Sequence, residues 1–337
     1  MAPIRCEIFD PLLPEPQARE MLRLCEGFGR YGTYAEESVA DEFGNVLPQR
    51  YDAAVNFVRT GGRFARREAV ETLAARTNYF RETYAYGDEI RLPGIEPFHR
   101  HEAFLEAARK IHDRPIVRPA IVYANVLVPG QELAVHTDVP EFRGMNRKQD
   151  PQWLLVAMHH SGLFERWRMP IATAVAYFEG CAGGEFVFYP DGREGAPHTL
   201  AARHNTAVIL DTDTVFHGVD RVADGERAIP PIRPGAELVF AGDGSWRVEL
   251  GGEILARYRW GEIRFSVSWK AYCLADAAEE RAVREHSDDV TRAQALATLM
   301  ADLRAREKLG EETLPDRELA LRIIDEYIRF PAPREGA

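Results

Sequence analysis

Residues 123–138 read YANVLVPGQELAVHTD, and the fold expected for the chain is organised around this stretch. Two apolar, strand-like runs flank a Pro-Gly turn, and the second run closes on His136 and Asp138. Residues two positions apart on a strand point to the same side, so this imidazole and this carboxylate aim at one point. The pair supplies two of the three protein ligands of an open metal site. Because His-x-Asp is common by chance, the rest of the chain has to supply the third.

Composition and charge exclude several classes of protein. The chain has 337 residues, of which 45% are hydrophobic and 28% charged, as is usual for a globular protein. A formal net charge of −11 and the lack of a long basic run argue against nucleic-acid or anionic-membrane partners. Neither a signal peptide nor a run of 18 apolar residues is found, so we expect a cytoplasmic protein without a membrane span. Four widely spaced cysteines without a CxxC motif predict reduced thiols, at Cys6, Cys25, Cys181 and Cys273.

The pattern of apolar residues predicts helical flanks around a β-rich centre. Helical spacing recurs at 15–27, 66–77 and 101–112, whereas 28–62 is expected to contain loops and an edge strand. Charged helices are predicted at 275–309 and 316–330. Between the flanks lie short β-like runs at 121–128, 133–137, 153–158, 171–178, 185–189, 206–210, 215–219, 238–240, 246–250, 254–260 and 263–271.

Many short strands separated by turn residues favour a mainly β core with α flanks, an α+β arrangement. The core is expected to be a double-stranded β-helix, the jelly-roll shape shared with cupins. We assign 1–115 to an N-terminal α/β flank, 116–274 to the core and 275–337 to C-terminal helices. Insertions in the core are expected at 139–170 and 223–262, the second including a hairpin that turns at Gly251-Gly252.

The best candidate for the third ligand is His217, which lies 79 residues after Asp138 (from 138 to 217). An apolar run at 207–210 leads through an Asp/Thr turn into a second run that carries this histidine. In a jelly roll a late strand lies beside the early one that carries the His-x-Asp pair, so the three side chains can meet. The alternative is a core histidine that is only hydrogen-bonded.

Four segments in order resemble the Fe(II)/2-oxoglutarate-dependent dioxygenase superfamily, in particular its prolyl-4-hydroxylase-like branch. VPGQELAVHTD resembles the strand with the first two iron ligands, and AVILDTDTVFHGVDRV resembles the strand pair with the distal histidine. TAVAYFEGCAGGEFVFYPDG resembles the family's aromatic strand and Gly-Gly-Glu hairpin, and RFSVSW resembles its last core strand. The N-terminal IFDPLLPEPQAREML is similar to the usual entry strand and helix. The resemblance covers 123–273, about half of the chain.

The resemblance implies that His136, Asp138 and His217 hold Fe(II), leaving positions for 2-oxoglutarate and O₂. A cation must receive the distal carboxylate of 2-oxoglutarate, and a guanidinium suits it best. Arg264 begins the last core strand, and Ser266 shares its face and can add a hydrogen bond.

Arg227 is the rival cation, since its spacing of 10 residues from His217 (from 217 to 227) is closer to the usual gap in the family. The sequence AIPPIRPG that follows it cannot continue a central strand, so we favour Arg264. Thr173 matches a position whose hydroxyl often contacts the co-substrate, although a strand threonine is an equal reading.

The chain departs from the prolyl-hydroxylase-like pattern at Leu127, where that pattern has a tyrosine before Pro-Gly-Gln. Tyr123 and Asn125 share its strand face and can supply the polar contact instead. Asp138 distinguishes the chain from halogenases of the superfamily, which have a small residue there. It favours hydroxylation, desaturation or ring formation.

The long connection between Asp138 and Thr173 is expected to select the substrate, because long loops in compact domains are usually functional or disordered. In it, Arg143, Arg147 and Lys148 are candidates to receive a carboxylate or phosphate, unless they form a solvated basic loop. The loop also contains His159 and His160, either of which can line the pocket.

The function expected from these residues is oxidation of a small molecule, such as an amino acid or natural-product intermediate, by an Fe(II)/2-oxoglutarate-dependent oxygenase. The alternatives are an iron oxidase that uses no 2-oxo acid and a cupin-like protein that only binds a metal or ligand. A homodimer is compatible with a shared helical face formed by Leu296, Leu299 and Leu303, but the same face can pack within the chain.

Overall fold

A computed structural model describes residues 6–34, 51–223 and 229–333 of the chain. These residues form two facing antiparallel sheets and a separate two-stranded sheet, flanked by helices, which confirms the predicted β core with α flanks. The strands, in chain order, are β1 (Cys6–Phe9), β2 (Arg30–Thr33), β3 (Phe80–Tyr86), β4 (Glu89–Ile90), β5 (Ile116–Leu127), β6 (Leu133–His136), β7 (Glu141–Phe142), β8 (Arg168–Met169), β9 (Ile171–Tyr177), β10 (Phe186–Phe188), β11 (His198–Leu200), β12 (Thr206–Leu210), β13 (His217–Val219), β14 (Glu237–Gly242), β15 (Ser245–Leu250), β16 (Glu253–Arg259) and β17 (Arg264–Leu274).

The large sheet has the order β1-β12-β9-β17-β5-β3-β2-β14-β15-β16, with β4 paired to β3, and the small sheet has the order β11-β10-β13-β6. From β5 onward the chain passes back and forth between them. Strands β5, β9, β12 and β17 lie in the large sheet, and β6, β10, β11 and β13 in the small one. This alternation produces the double-stranded β-helix that the sequence predicts.

Strand β17 shows why one face of the large sheet is polar and the other apolar. Successive side chains of a strand point to opposite faces. Phe265, Val267 and Trp269 therefore belong to the apolar core on the outer face, where the Trp269 ring lies 5.4 Å from that of Phe104. The alternate side chains of the same strand, Arg264, Ser266, Ser268 and Lys270, line the space between the sheets.

Helices cover the outer face of the large sheet and one end of the molecule. Three of them contribute buried side chains to the core around Trp269, namely α1, α4 and α5. The helices are α1 (Glu15–Phe28), α2 (Tyr51–Thr60), α3 (Val70–Thr77), α4 (Glu96–His99), α5 (Glu102–His112), α6 (Gln152–Ser161), α7 (Ala277–Glu285), α8 (Arg292–Ala305) and α9 (Asp316–Tyr327).

The segment before β17 extends the large sheet. Strands β14, β15 and β16 form consecutive hairpins, and β14 pairs with β2 near the N-terminus. The second hairpin turns at Gly251 and Gly252, whose φ angles of 58° and 88° are those a two-residue turn requires. These strands separate His217 from Arg264 in sequence.

The apolar run at 153–158, grouped above with the β-like runs but also compatible with a helix, is part of α6. All six residues are buried, so the segment shows no periodicity that distinguishes a helix from a strand. Pro151 begins the helix, and Gly162, with a φ of 71°, ends it. Helix α6 packs against α8 and α9.

Several further elements were not predicted, among them α2 and β3. The interval 28–62 was expected to hold loops and an edge strand, and it contains β2 as well as helix α2, with 35–50 outside the described residues. Strand β3 was not predicted, although it pairs with β5 over most of its length.

The C-terminal helices form a second apolar core with α6. Leu299 and Leu303 are fully buried in it, so these two residues pack within the chain, which is one of the two alternatives. Homodimerisation stays a prediction. Among the described residues, no helix is both long and apolar enough to cross a membrane.

Candidate metal centre and adjoining cavities

His136, Asp138 and His217 meet between the two sheets. His217 on β13 lies directly opposite His136 on β6, and their ring centroids are 4.5 Å apart. Asp138 follows β6 by two residues, and its Oδ1 lies 3.7 Å from Nε2 of each histidine. One potential ligand atom from each residue lies within 4.8 Å of the other two. The register of β6 and β13 therefore brings together the three residues singled out in the sequence.

The hydrogen bonds of the two histidines fit them to a metal. Nδ1 of His136 donates to the Ala134 carbonyl at 2.7 Å, and Nδ1 of His217 donates to the Val215 carbonyl at 2.9 Å. Since a carbonyl only accepts, each Nδ1 carries a proton, and each Nε2 faces Oδ1 of Asp138. Burial, reinforced by His136, lowers the pKa of His217 to about 3, so the ring is neutral as a metal ligand must be.

Asp138 has an unexpected partner, Lys270 on β17. The Lys270 Nζ lies 2.6 Å from Oδ2 of Asp138, the carboxylate oxygen that does not face the histidines. Burial opposes ionisation of Asp138, yet Lys270 and then the two histidines hold its pKa well below the usual range. Asp138 is therefore an anion, with Oδ1 directed to the histidine pair.

The three residues open into a pocket of about 100 Å³, called here the inner pocket, which Arg264, Ser266 and Thr173 also line. Arg264 is 2% exposed, and its Nε donates to the Gly184 carbonyl at 2.7 Å. Its other nitrogens donate to Ser266 Oγ at 3.3 Å and to the Tyr177 hydroxyl. A buried guanidinium is thus held by neutral oxygens in the same pocket as the three candidate ligands.

The remaining residues suggested for co-substrate binding fall in different places. Thr173 Oγ1 lies 2.7 Å from Thr212 Oγ1, so this threonine hydroxyl already has a partner. Tyr123, Asn125 and Leu127 all line the inner pocket. Arg227 lies outside the described residues.

The three cations suggested for substrate binding separate into two groups. Arg143 is structural, which corrects the prediction for it: it donates to the Arg166 carbonyl and pairs with Asp288 at 2.9 Å. Arg147 and Lys148 instead line a cavity of about 570 Å³ beside the inner pocket, called here the outer cavity.

The two histidines of the long connection lie on α6 and line neither the inner pocket nor the outer cavity. His160 Nε2 lies 3.2 Å from Thr137 Oγ1, and His159 Nε2 lies 3.2 Å from Thr214 Oγ1. The suggestion that either lines the pocket is therefore wrong. His160 thus contacts the threonine between His136 and Asp138, and His159 contacts a threonine in the turn before His217.

Sequence reasoning missed three side chains of the site. Lys270 is six residues after Arg264 on the same strand, so its even spacing could have placed it on the inner face. On β9, Tyr177 is four residues after Thr173, which is again an even spacing. Arg81, whose guanidinium lies 4.2 Å from the centre of the Tyr123 ring, comes from the unpredicted strand β3.

No protein-family model and no curated protein matches the chain. Solved structures that resemble it include a prolyl-4-hydroxylase from Pseudomonas putida, at 11% identity and a TM-score of 0.38, covering 80% of this chain and 92% of that one. A prolyl hydroxylase from Trichoplax adhaerens, in complex with a hypoxia inducible factor peptide, has 11% identity and a TM-score of 0.42, covering 84% and 87%.

A third is HygX from Streptomyces hygroscopicus, with nickel, 2-oxoglutarate and hygromycin B bound, at 10% identity and a TM-score of 0.39, covering 80% and 82%. With TM-scores of 0.38 to 0.42, these likenesses carry no argument about function. The function of the chain is therefore inferred from the geometry of the site.

Proposed function

We propose that the protein is a non-haem iron(II)- and 2-oxoglutarate-dependent oxygenase that oxidises a C–H bond of a small molecule. The observation that carries the proposal is the inner pocket itself. Two imidazoles and one carboxylate converge in it, and a buried guanidinium lines the same space. Two histidines and one carboxylate are the ligand set of iron(II) oxygenases, which leave positions open for other ligands.

In this proposal His136, Asp138 and His217 hold the metal on one side. The backbone carbonyls of Ala134 and Val215 fix the orientation of the two rings before any ligand arrives. When bound, iron(II) with 2-oxoglutarate and dioxygen supplies C–H oxidation, and the 2-oxo acid leaves as succinate and carbon dioxide. No side chain of the protein has to act as a nucleophile.

Arg264 would hold the distal carboxylate of 2-oxoglutarate. Because burial removes competing water, a charge-assisted hydrogen bond from its guanidinium is stronger than at a surface. Its present partners are a carbonyl and two hydroxyl groups, so within the described residues no carboxylate neutralises it. Ser266 stands next to Arg264 on the inner face and can add a hydroxyl hydrogen bond.

The test is a stoichiometric one. Purified protein should convert 2-oxoglutarate to succinate only when Fe(II), 2-oxoglutarate and O₂ are all supplied. Succinate formation by His217→Ala should fall at least about a hundredfold, since an open metal site loses a ligand. The exposed His198 provides a matched control, and His198→Ala should keep normal turnover.

Two results would contradict the proposal in different ways. Oxidation with iron and O₂ but without consumption of 2-oxoglutarate indicates an oxidase that uses no 2-oxo acid. Metal binding by calorimetry that is not followed by binding of 2-oxoglutarate indicates a cupin-like binding protein.

A further inference from the structure

The outer cavity lies beside the inner pocket, between strands of the large sheet and the connection that follows Asp138. Five residues line both spaces: Arg81, Tyr123, Val139, Arg147 and Lys270. Its volume of about 570 Å³ is in the range that holds a small organic molecule. The outer cavity is therefore adjacent to the pocket that contains the candidate metal ligands.

From the charges of this cavity, and building on the proposed function, we infer that the substrate is an organic anion. Its carboxylate or phosphate group binds at Arg147 or Lys148. The lining contains a single acid, Glu141, and five cations: Arg81, Arg91, Arg147, Lys148 and Lys270. This excess of positive charge stands in a chain whose formal net charge is −11.

The single acid does not neutralise the cations. Glu141 accepts a hydrogen bond from the Tyr272 hydroxyl at 2.7 Å. Two of the cations have their own carboxylates: Lys270 pairs with Asp138, and Arg91 pairs with Glu89 at 3.1 Å. These two charges are largely balanced within the protein.

Arg147 and Lys148 differ, because within 6–34, 51–223 and 229–333 neither has an ion-paired carboxylate. Arg147 donates to the Tyr34 hydroxyl at 3.3 Å, and Lys148 donates to the Tyr86 hydroxyl at 3.0 Å. Arg147 is only partly exposed. Water therefore screens the attraction between this guanidinium and an anion less than it would at an open surface. Arg147 and Lys148 are thus two cations with neutral hydrogen-bond partners in the lining of one cavity, and either can receive an anionic group.

The rest of the cavity fits the body of an organic molecule. Tyrosine rings on three strands line it, at Tyr86, Tyr123 and Tyr272. The side-chain amides of Asn146, Gln149 and Gln152 add hydrogen-bonding groups near the two cations. Since Arg147 also lines the inner pocket, an anion held there places the remainder of the molecule toward the candidate ligands.

Binding by the full-length, metal-free protein tests the inference without requiring turnover. The probes are two pairs of small molecules, phenylacetate with phenylacetamide and phenyl phosphate with phenol. Ligand-observed NMR and calorimetry should show that at least one anion binds about tenfold tighter than its neutral counterpart. The pair with the larger preference distinguishes a carboxylate from a phosphate, and the preference should decrease as salt is added.

Variants locate the effect. The double variant Arg147→Gln/Lys148→Gln should lose the preference for the anion. Arg264→Gln, in the inner pocket, should keep it, as should Arg109→Gln, an exposed cation on α5 that pairs with Glu102 at 3.2 Å. Thermal melting of each variant verifies that it is folded.

Equal binding of charged and neutral probes, or no measurable binding of either anion, overturns the inference. It is also overturned if the double variant keeps the preference or if Arg264→Gln removes it, since the anion site would then lie elsewhere. Failure of succinate formation is a separate result, because these measurements contain neither iron nor 2-oxoglutarate.

Discussion

Lys270 and Asp138 form an ion pair with 2.6 Å between Nζ and Oδ2, although 132 positions separate them in the sequence. The pair connects β17, the last strand in chain order, to the carboxylate of the proposed metal centre. Because Lys270 contacts the oxygen opposite the histidines, Oδ1 stays directed toward them. The lysine thus orients the carboxylate as well as keeping it ionised.

Replacing this lysine should expose how much the carboxylate depends on it. Lys270→Met leaves a partly buried anion without its cation, so the metal-free protein should lose about 2 kcal/mol of stability. Mn(II) should recover most of the loss, because a bound divalent ion supplies positive charge to the same carboxylate. Thermal unfolding with and without Mn(II) measures both effects. The control is Lys110→Met, since Lys110 is 55% exposed and pairs weakly with Glu7. An unchanged melting temperature for metal-free Lys270→Met would show that the ion pair contributes nothing.

Gly218 should prove necessary for the approach of the two histidine strands. A Cβ at this position would lie 2.7 Å from the Leu133 carbonyl oxygen and 3.2 Å from the Val135 Cα. Gly218→Ala should therefore push β13 from β6, lowering stability by about 2 kcal/mol and weakening metal binding about tenfold or more. Calorimetry with Mn(II) and thermal unfolding check these effects. Gly27→Ala is the matched control, since a Cβ there meets nothing within 4 Å and helix propensity favours alanine. Unaltered metal affinity in Gly218→Ala would contradict the role assigned to the β6–β13 contact.

Arg264 should control the affinity for 2-oxoglutarate. Arg264→Gln should raise the KM for 2-oxoglutarate at least about tenfold, because the charge-assisted bonds to its distal carboxylate are lost. Tyr177→Phe should raise it less, since this hydroxyl only contacts the guanidinium. Succinate formation against 2-oxoglutarate concentration gives KM and kcat separately. Arg264→Lys keeps the charge in case the glutamine variant fails to fold. Arg227→Gln is the comparison, and a larger effect there than at Arg264 would move the co-substrate site to Arg227.

Asp213 should make stability depend on pH. Burial, and then the neighbouring Asp211, raise the pKa of this fully buried carboxyl to about 8, above its unfolded value near 4. Between these two values the folded state holds a proton that the unfolded state releases. Stability therefore falls as the pH rises through this window, by up to about 1.4 kcal/mol per pH unit. Asp213→Asn removes the titrating group, so it should stabilise the protein more at pH 8 than at pH 5. Chemical denaturation at the two pH values measures this. A variant whose change in unfolding free energy is the same at both would show that Asp213 is not protonated in the folded protein.

Much of the fold follows from local patterns in the sequence. Alternation along 264–270 places the apolar residues of β17 on one face and the polar ones on the other, whatever the neighbouring strands are. The pair Gly251 and Gly252 specifies a tight turn because few other residues adopt their positive φ angles. Local patterns were insufficient for α6, since a segment buried on every side carries no period.

In the candidate site, too, some features follow from local sequence patterns and others do not. Spacing alone aligns His136 with Asp138, and the order of strands brings a later histidine to them. Which of Arg143, Arg147 and Lys148 faces the cavity could not be read from adjacent positions in a loop. Asp288, 145 residues after Arg143, forms an ion pair with that arginine, and this tertiary contact distinguishes Arg143 from the other two cations.

The sequence by itself therefore determined the chemical types at the site and the strand faces that carry them, because strand periodicity is a property of neighbouring residues. Only the tertiary structure decided which charges are neutralised. Lys270 is balanced by Asp138 and Arg143 by Asp288, whereas Arg147 and Lys148 keep neutral partners at the outer cavity. The physical reason is that ion pairing depends on distances of a few ångströms between segments that are remote in sequence, which no local pattern encodes.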